Sequence, residues 1–319
     1  MNEQLYQILI AEIRKIFPKK SVMIDTLAEI LKIEKGAVYR RIRQEVPFTF
    51  SEVAIIAKYL NISMDSIVGI ERTKTAPFQM KLPDYVSPQE EDYYILDAYL
   101  KLLRSVTKLE DSETASITNV LPHDLFGELK HLTLFYLFIW NYHYSTEQIK
   151  PFHQISVEPK IYECMKDYML EMKKFSKTCY VFDNRMFRFF VDRVTYFNSI
   201  RLIEKEDVLK IKEDLFSLMD YLEKMAITGQ FKETGNTVNL YISDVDITTS
   251  YTYLGAKNIH FSMVKAFILS YVTSYDEETF ERMKNWIHSL IKISTLITLT
   301  NEKQRVLYFE RQRKIINEL

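Results

Sequence analysis

Apolar positions recur at helical spacing from the first residues onward. Leu5, Ile8, Leu9, Ile13 and Ile16 fall on one face and predict a helix from about Asn2 to Phe17, which Pro18 and the following lysines end. Ser21 is the expected N-cap of a second helix running to about Leu31, and a third is predicted over Lys35 to Gln44, broken by Pro47. Thr49 or Ser51 is placed to cap a fourth through "EVAIIAKYL", and Ser63 a fifth through "MDSIV" before Gly69. Five short helices with short loops therefore fill the first 72 residues.

The pattern stops at "TKTAPFQMKLPDYVSP", residues 73–88, which holds three of the eight prolines and reads as a linker. Helical spacing returns over 89–107, 123–144, 158–177, 184–203 and 206–228. After Gly229 the chain turns rich in Val, Ile, Thr, Tyr and Phe, predicting two or three antiparallel strands, with "GAKN" as a turn. Helices over 276–297 and 301–319 are expected to cover one face of that sheet. The fold class expected is mainly α: an N-terminal five-helix helix-turn-helix domain (1–72), a linker (73–88), and a larger helical domain (89–319) ending in a small antiparallel β-sheet with helices, with a sub-boundary near 230. No repeat or low-complexity tract interrupts it.

Charge changes the picture of the first domain. The chain carries a formal net charge of -1, yet residues 14–43 hold nine basic residues against three acidic. That places a positive field where a phosphate backbone needs one. With Val38 and Ile42 as the buried seam of the third helix, Gly36, Arg40 and Arg43 fall opposite, with Ala37, Tyr39 and Gln44 at the edges. Ala28, Ile33, Val38 and Ile42 supply the small and apolar contacts that a helix-turn-helix crossing requires.

Through "LAEILKIEKGAVYRRI" and the following "FSEVAIIAKYLNISMDSIV", the first 70 residues or so resemble the lambda-repressor-like (XRE) helix-turn-helix family. The resemblance implies a DNA-binding regulator whose base-reading positions match Lys35, Gly36, Arg40 and Arg43, with Gln44 nearby. Arginine can donate two hydrogen bonds to guanine O6 and N7, worth about 1–3 kcal/mol of discrimination. Tyr39 flanks these residues, and Arg41, Lys19 and Lys20 are expected on phosphates, which position without specifying sequence. Two positions depart from the family pattern: Lys32 stands at its turn glycine, and Glu34 at the Ser or Thr cap of the recognition helix.

The rest of the chain is less explicit. Beyond residue 75 lie 37 of the 43 aromatic residues, a composition that fills cores and can line pockets. "HLTLFYLFIWNYHY" reads as a central helix, with Trp140, Tyr142 and Tyr144 as candidate pocket walls. Six histidines show no metal-ligand spacing, the pair Asp244 and Asp246 fits a polar strand edge as well as a cation site, and no GxSxG, Walker or GxGxxG motif occurs. No enzyme, cofactor or metal is expected; a pocket gathering His, Asp or Glu side chains within 89–319 would be the mark of one. Cys164 and Cys179 suggest buried free thiols.

No apolar run approaches bilayer length and the first residues lack signal-peptide character, so a cytoplasmic protein with no membrane partner is expected. The last helix places Val306, Phe309, Ile316 and Leu319 near one stripe, suited either to a second copy or to the protein's own sheet. The expected function is a dimeric DNA-binding transcriptional regulator whose C-terminal domain oligomerises or senses a small-molecule or peptide effector. Some relatives in the resembled family carry helical repeats for signalling peptides; the strands after Gly229 and the absence of a repeat argue against that type. The competing reading is a protein-interaction module that uses the helix-turn-helix to dock a protein partner.

Overall fold

The computed structural model describes residues 3–17, 19–60, 62, 64, 76, 78–144, 149–257 and 259–319. The chain divides into two compact units, Met1–Pro77 and Phe78–Leu319.

The first unit contains α1 (Glu3–Ile16), α2 (Lys20–Leu31), α3 (Lys35–Ile42) and α4 (Phe50–Leu60). The expected fifth helix falls on residues 63–69, most of which lie outside the described residues. Leu9, Ile13, Ile24, Leu27, Val38, Ile42 and Ile56 form one buried cluster. At about 1.5–3 kcal/mol for each large side chain removed from water, this cluster holds four short helices that propensity alone would not.

Local chemistry sets the helix ends. At the α2–α3 turn Lys32 is left-handed (φ 53°), the Ile33 N–H donates to Ala28 O and the Lys32 N–H to Glu29 O, a Schellman ending without its usual glycine. α3 ends the same way: Gln44 is left-handed (φ 66°), and the Gln44 and Glu45 N–H groups return to the Arg41 and Arg40 carbonyls. This is why α3 stops at Ile42, short of the expected Gln44. Ser21 is not a cap; α2 begins a residue earlier, with Lys19 at the N-cap and no side-chain bond there. Thr49 does cap α4, in a reciprocal box with Glu52: the Glu52 N–H donates to Thr49 Oγ1 and the Thr49 N–H to Glu52 Oε2.

The second unit overturns the mainly α expectation. Among the described residues eight α-helices, α5 (Glu90–Val106), α6 (His123–Phe126), α7 (Lys130–Tyr144), α8 (Pro159–Met172), α9 (Met186–Ser199), α10 (Lys205–Thr228), α11 (Glu277–Lys292) and α12 (Glu302–Ile316), accompany one eight-stranded mixed sheet. Its strands are β1 (Gln79–Met80), β2 (Glu113–Thr118), β3 (Lys177–Phe182), β4 (Thr237–Ile242), β5 (Tyr251–Ala256), β6 (Ile259–Lys265), β7 (Tyr271–Ser274) and β8 (Thr295–Leu296), in the order β1-β7-β6-β5-β2-β3-β4-β8. The centre, β2-β3-β4, is parallel and every other pairing antiparallel. Parallel neighbours need long crossovers, and α6–α8 and then α9–α10 supply them. The helices belong to an α/β unit, and the sheet is neither small nor purely antiparallel.

Residues 78–88, read as linker, are part of this unit: Gln79 pairs with Thr273, and the Tyr85 hydroxyl donates to Leu269 O. Helices cover both sheet faces. α11 covers Ala115, Ile117, Val181 and Tyr253 through Phe280 and Ile287. On the other face α7, α9, α10 and α12 pack on Tyr180, Phe182, Val238, Leu240 and Ile242. There too α5 and the end of α8 meet Leu254, Phe261 and Met263. α12 buries Tyr308, Phe309 and Ile316 in its own unit and leaves Val306 41% exposed, so the expected apolar stripe is rotated away from Val306. Among the described residues no helix is long and apolar enough to cross a membrane.

Candidate DNA-facing helix and a polar-ended cavity

In the first unit, α2 and α3 meet through Ile24, Leu27, Val38 and Ile42, and burial of the last two turns the opposite side of α3 outward. Lys35, Gly36, Tyr39, Arg40, Arg43 and Gln44 are all exposed there. Lys35 pairs with Asp25 of α2 at 2.8 Å, a hydrogen bond that also raises the lysine's pKa. A Cβ on Gly36 would meet nothing within 4 Å, so glycine there opens the surface for close approach by another backbone. Lys20 lies 5.7 Å from the centre of the Tyr39 ring, and Lys19 is exposed beside it at the start of α2. Arg43 lies 3.8 Å from Glu45, an exposed pairing of little energetic weight. Arg40 carries no ion pair among the described residues.

Arg41, expected on phosphates, is half-buried in this structure. Its guanidinium turns inward to Glu52 of α4, Nε donating to Oε2 at 3.0 Å and Nη2 to Oε1 at 2.8 Å, and Nη1 returns to Ala37 O at 3.3 Å. The α1 hydroxyl of Tyr6 donates to Arg41 O at 2.9 Å and accepts from the Phe48 N–H at 3.1 Å. Arg41 therefore fixes α3 on α4, while its neighbour Arg40 faces solvent. Glu34 precedes α3 without a capping hydrogen bond from its side chain, while its carbonyl accepts from the Ala37 and Val38 N–H groups.

The second unit contains a partly open cavity that residue patterning did not disclose. On β2, Ala115 and Ile117 point toward α11 while Thr114, Ser116 and Thr118 point the other way, next to Thr178 and Tyr180 of β3 and Thr252 of β5. This polar stripe is covered by α6 and α8, leaving a compartment of about 30 Å³ bordered by Thr178, Tyr180, Asp124, Tyr168 and Lys265. It adjoins a larger cavity of about 130 Å³ walled by Tyr85, Tyr99, Tyr168, Tyr271 and Leu100, with His123 and Asp124 at its inner end. The two share Asp124, Tyr168, Met263 and Tyr271.

The charges in this cavity are held apart. Asp124 is buried, and its carboxylate accepts from the Tyr180 hydroxyl; burial raises its pKa against that hydrogen bond. Lys265, at the end of β6, sits 5.4 Å from the Tyr271 ring and pairs with no carboxylate among the described residues. Burial pulls its pKa down to about 7, with a further push from Arg193 and only a partial counterweight from Asp124. His123 packs edge-on against Tyr136 at 4.5 Å, burial keeps it neutral, and its enclosed Nε2 has no hydrogen-bond partner. Thr178 Oγ1 and Ser270 Oγ are likewise enclosed and unpartnered.

Trp140, Tyr142 and Tyr144 do not line this cavity; Trp140 stands behind it, edge-on to Tyr85 at 5.4 Å. Asp244 accepts from Thr295 and Asp246 pairs with Arg185, and no cluster of His, Cys, Asp or Glu suited to a metal occurs among the described residues. Both cysteines are free and half-buried. An inward Thr-x-Ser-x-Thr alternation followed by His-Asp was the available signal, but Thr and Ser on a strand read as its solvent face until both faces are known to be covered. No family model matches the chain, and no curated protein or solved structure matches it either.

Proposed function

We propose that the protein is a DNA-binding transcriptional regulator in which residues 1–72 read duplex DNA and the larger unit oligomerises and senses an effector. The observation that carries this reading is the division of α3: Val38 and Ile42 are buried against α2, while Lys35, Gly36, Tyr39, Arg40, Arg43 and Gln44 stand exposed on the other side. Arg40 and Arg43 have the reach and the donors to read guanine, while Lys19 and Lys20 supply phosphate contacts at the start of α2. A homodimer would carry two such helices to half-sites about 34 Å apart, matching a palindromic operator.

The test is selection of bound fragments from random duplex DNA by the full-length protein, followed by affinity against salt. Enrichment of a palindrome, with log K falling by about 0.9 per phosphate neutralised, is expected. Arg40→Ala with Arg43→Ala should lower discrimination at two base pairs by about 1–3 kcal/mol each and leave the circular dichroism unchanged. Selective binding that survives in the double variant would remove these two side chains from the reading role; failure of the folded protein to enrich any site would favour the docking of a protein partner.

A further inference from the structure

In the cavity of the second unit Asp124 and Lys265 stand apart, neither in an ion pair among the described residues, and Lys81 lines the outer compartment. The Asp124 carboxylate accepts from the Tyr180 hydroxyl and from its own backbone N–H, and Lys265 has the face of Tyr271 beside it. Setting a buried carboxylate and a half-buried ammonium in one cavity without joining them is costly, and such a split pair is relieved by whatever bridges it. Thr178, whose Oγ1 is buried and unpartnered, lines the inner compartment, and His123, whose Nε2 is likewise buried and unpartnered, lines the outer one.

The space beside these charges has two parts. The inner compartment, about 30 Å³, is the size of a polar head group, and the outer one, about 130 Å³, is the size of a ring or a branched aliphatic chain. Asp124 borders both, and Lys265 borders only the inner one. We infer that this cavity is a binding site for a small zwitterion, an α-amino acid with an aromatic or branched apolar side chain. Its carboxylate enters the inner compartment to meet Lys265 and Thr178, its ammonium faces Asp124 and the tyrosine rings, and its side chain fills the outer compartment. A carboxylic acid without the amine leaves Asp124 unmatched and adds a second anion next to it; an amine without the carboxylate leaves Lys265 unmatched.

The inference deepens the sensing role proposed for this unit. Binding is measured on the free full-length protein, so its failure is separate from failure of the DNA reading, which operator selection tests. Calorimetric titrations with L-phenylalanine and L-leucine are compared with 3-phenylpropionate and phenethylamine. At least one amino acid should bind, and the acid and the amine should each bind at least about tenfold more weakly than phenylalanine, the loss of one charged hydrogen-bonded contact. Lys265→Met should abolish the preference for phenylalanine over phenethylamine, and Asp124→Asn the preference over 3-phenylpropionate. If either variant fails to fold, the comparison of the three ligands on the unaltered protein decides alone. No heat from either amino acid at millimolar concentration, or equal affinity for all three phenyl compounds, overturns the inference.

Discussion

Arg41 and Glu52 are joined by two parallel hydrogen bonds across the α3–α4 junction, with their side chains only 15% and 14% exposed. Burial pushes the Glu52 carboxyl up, but the hydrogen bonds from Arg41 and Thr49 outweigh it and hold the pKa below the ordinary value. Glu52 thereby serves two elements at once, the N-terminus of its own helix and the C-terminal turn of α3. Of the adjacent arginines, Arg40 faces solvent and Arg41 holds the scaffold.

Arg41→Ala is therefore expected to act on stability. It leaves Glu52 partly buried without its planar partner and should cost about 1.5–3 kcal/mol in the first unit. Lysine should not restore it, having no fork to match the carboxylate. Both tryptophans lie beyond residue 77, so urea unfolding should be followed by far-ultraviolet circular dichroism and by amide exchange of α3 and α4. DNA affinity lowered uniformly across sequences with unchanged stability would return Arg41 to the phosphate contacts.

Acid should weaken the same junction. A carboxyl whose folded pKa is lowered contributes stability above its unfolded value near 4.5, lost as pH falls through the folded value. The exchange protection of α3 and α4 should decline below about pH 4.5, and Glu52→Gln should remove that component of the decline. A decline of the same steepness in the variant would show that Glu52 is not its source.

Lys32→Gly should stabilise the first unit by up to about 1 kcal/mol. The lysine occupies φ 53° at the turn, where a Cβ is strained and glycine is not. The Schellman hydrogen bonds involve backbone only and survive the exchange. A lower midpoint in urea would mean that the lysine side chain contributes more than its backbone strain costs.

Legibility differed between the two units for physical reasons. In the first, each helix has one buried stripe, and stripes of Leu, Ile and Val at helical spacing can be read without knowing the neighbours. The strain at Lys32 was legible for the same reason, since a turn between two amphipathic helices needs a left-handed residue. In the second unit, "ETASIT" of β2 has only Ala115 and Ile117 to mark a buried face, because its other face meets a polar cavity. "KTCYVF" of β3 begins at Lys177, with four residues between it and the end of α8, and helical spacing in the sequence runs on to that same residue. With two of three parallel strands hidden, the sheet looked small and antiparallel, and the charges of Asp124 and Lys265, 141 positions apart in sequence, had nothing to bring them together.

Gly255→Ala should damage the sheet rather than the cavity. A Cβ there would lie 2.7 Å from Ile259 O and 2.9 Å from the Phe280 ring, so the β5–β6 hairpin and α11 cannot both keep their places. Overpacking of this kind typically costs about 1–3 kcal/mol. Adding Phe280→Leu should recover part of the loss, leaving the contact with the backbone carbonyl. An alanine variant with unaltered thermal midpoint would mean that the hairpin and α11 have more room than their contacts indicate.

Lys265 gives the second unit a pH dependence of distinct sign. Its folded pKa of about 7 lies below the ordinary 10.5, so between those values the unfolded chain holds a proton that the folded chain has released, and stability rises with pH. Below about pH 7 the lysine is charged in both states and the cost of enclosing that charge is fully present. Asp124 and Arg193 act on it in opposite directions, and His123, which burial keeps neutral, makes its own demand only below about pH 6.5. Tyr85, Tyr136 and Tyr271, whose hydroxyls burial pushes up, oppose the trend only above about pH 10, where the unfolded chain ionises. Lys265→Met should accordingly be more stable than the unaltered protein at pH 7, with the gap closing as pH approaches the ordinary lysine value of 10.5. A thermal-midpoint gap that stays constant across that range would mean the ammonium is as well solvated in the cavity as in the unfolded chain, and the split pair with Asp124 would lose its energetic basis.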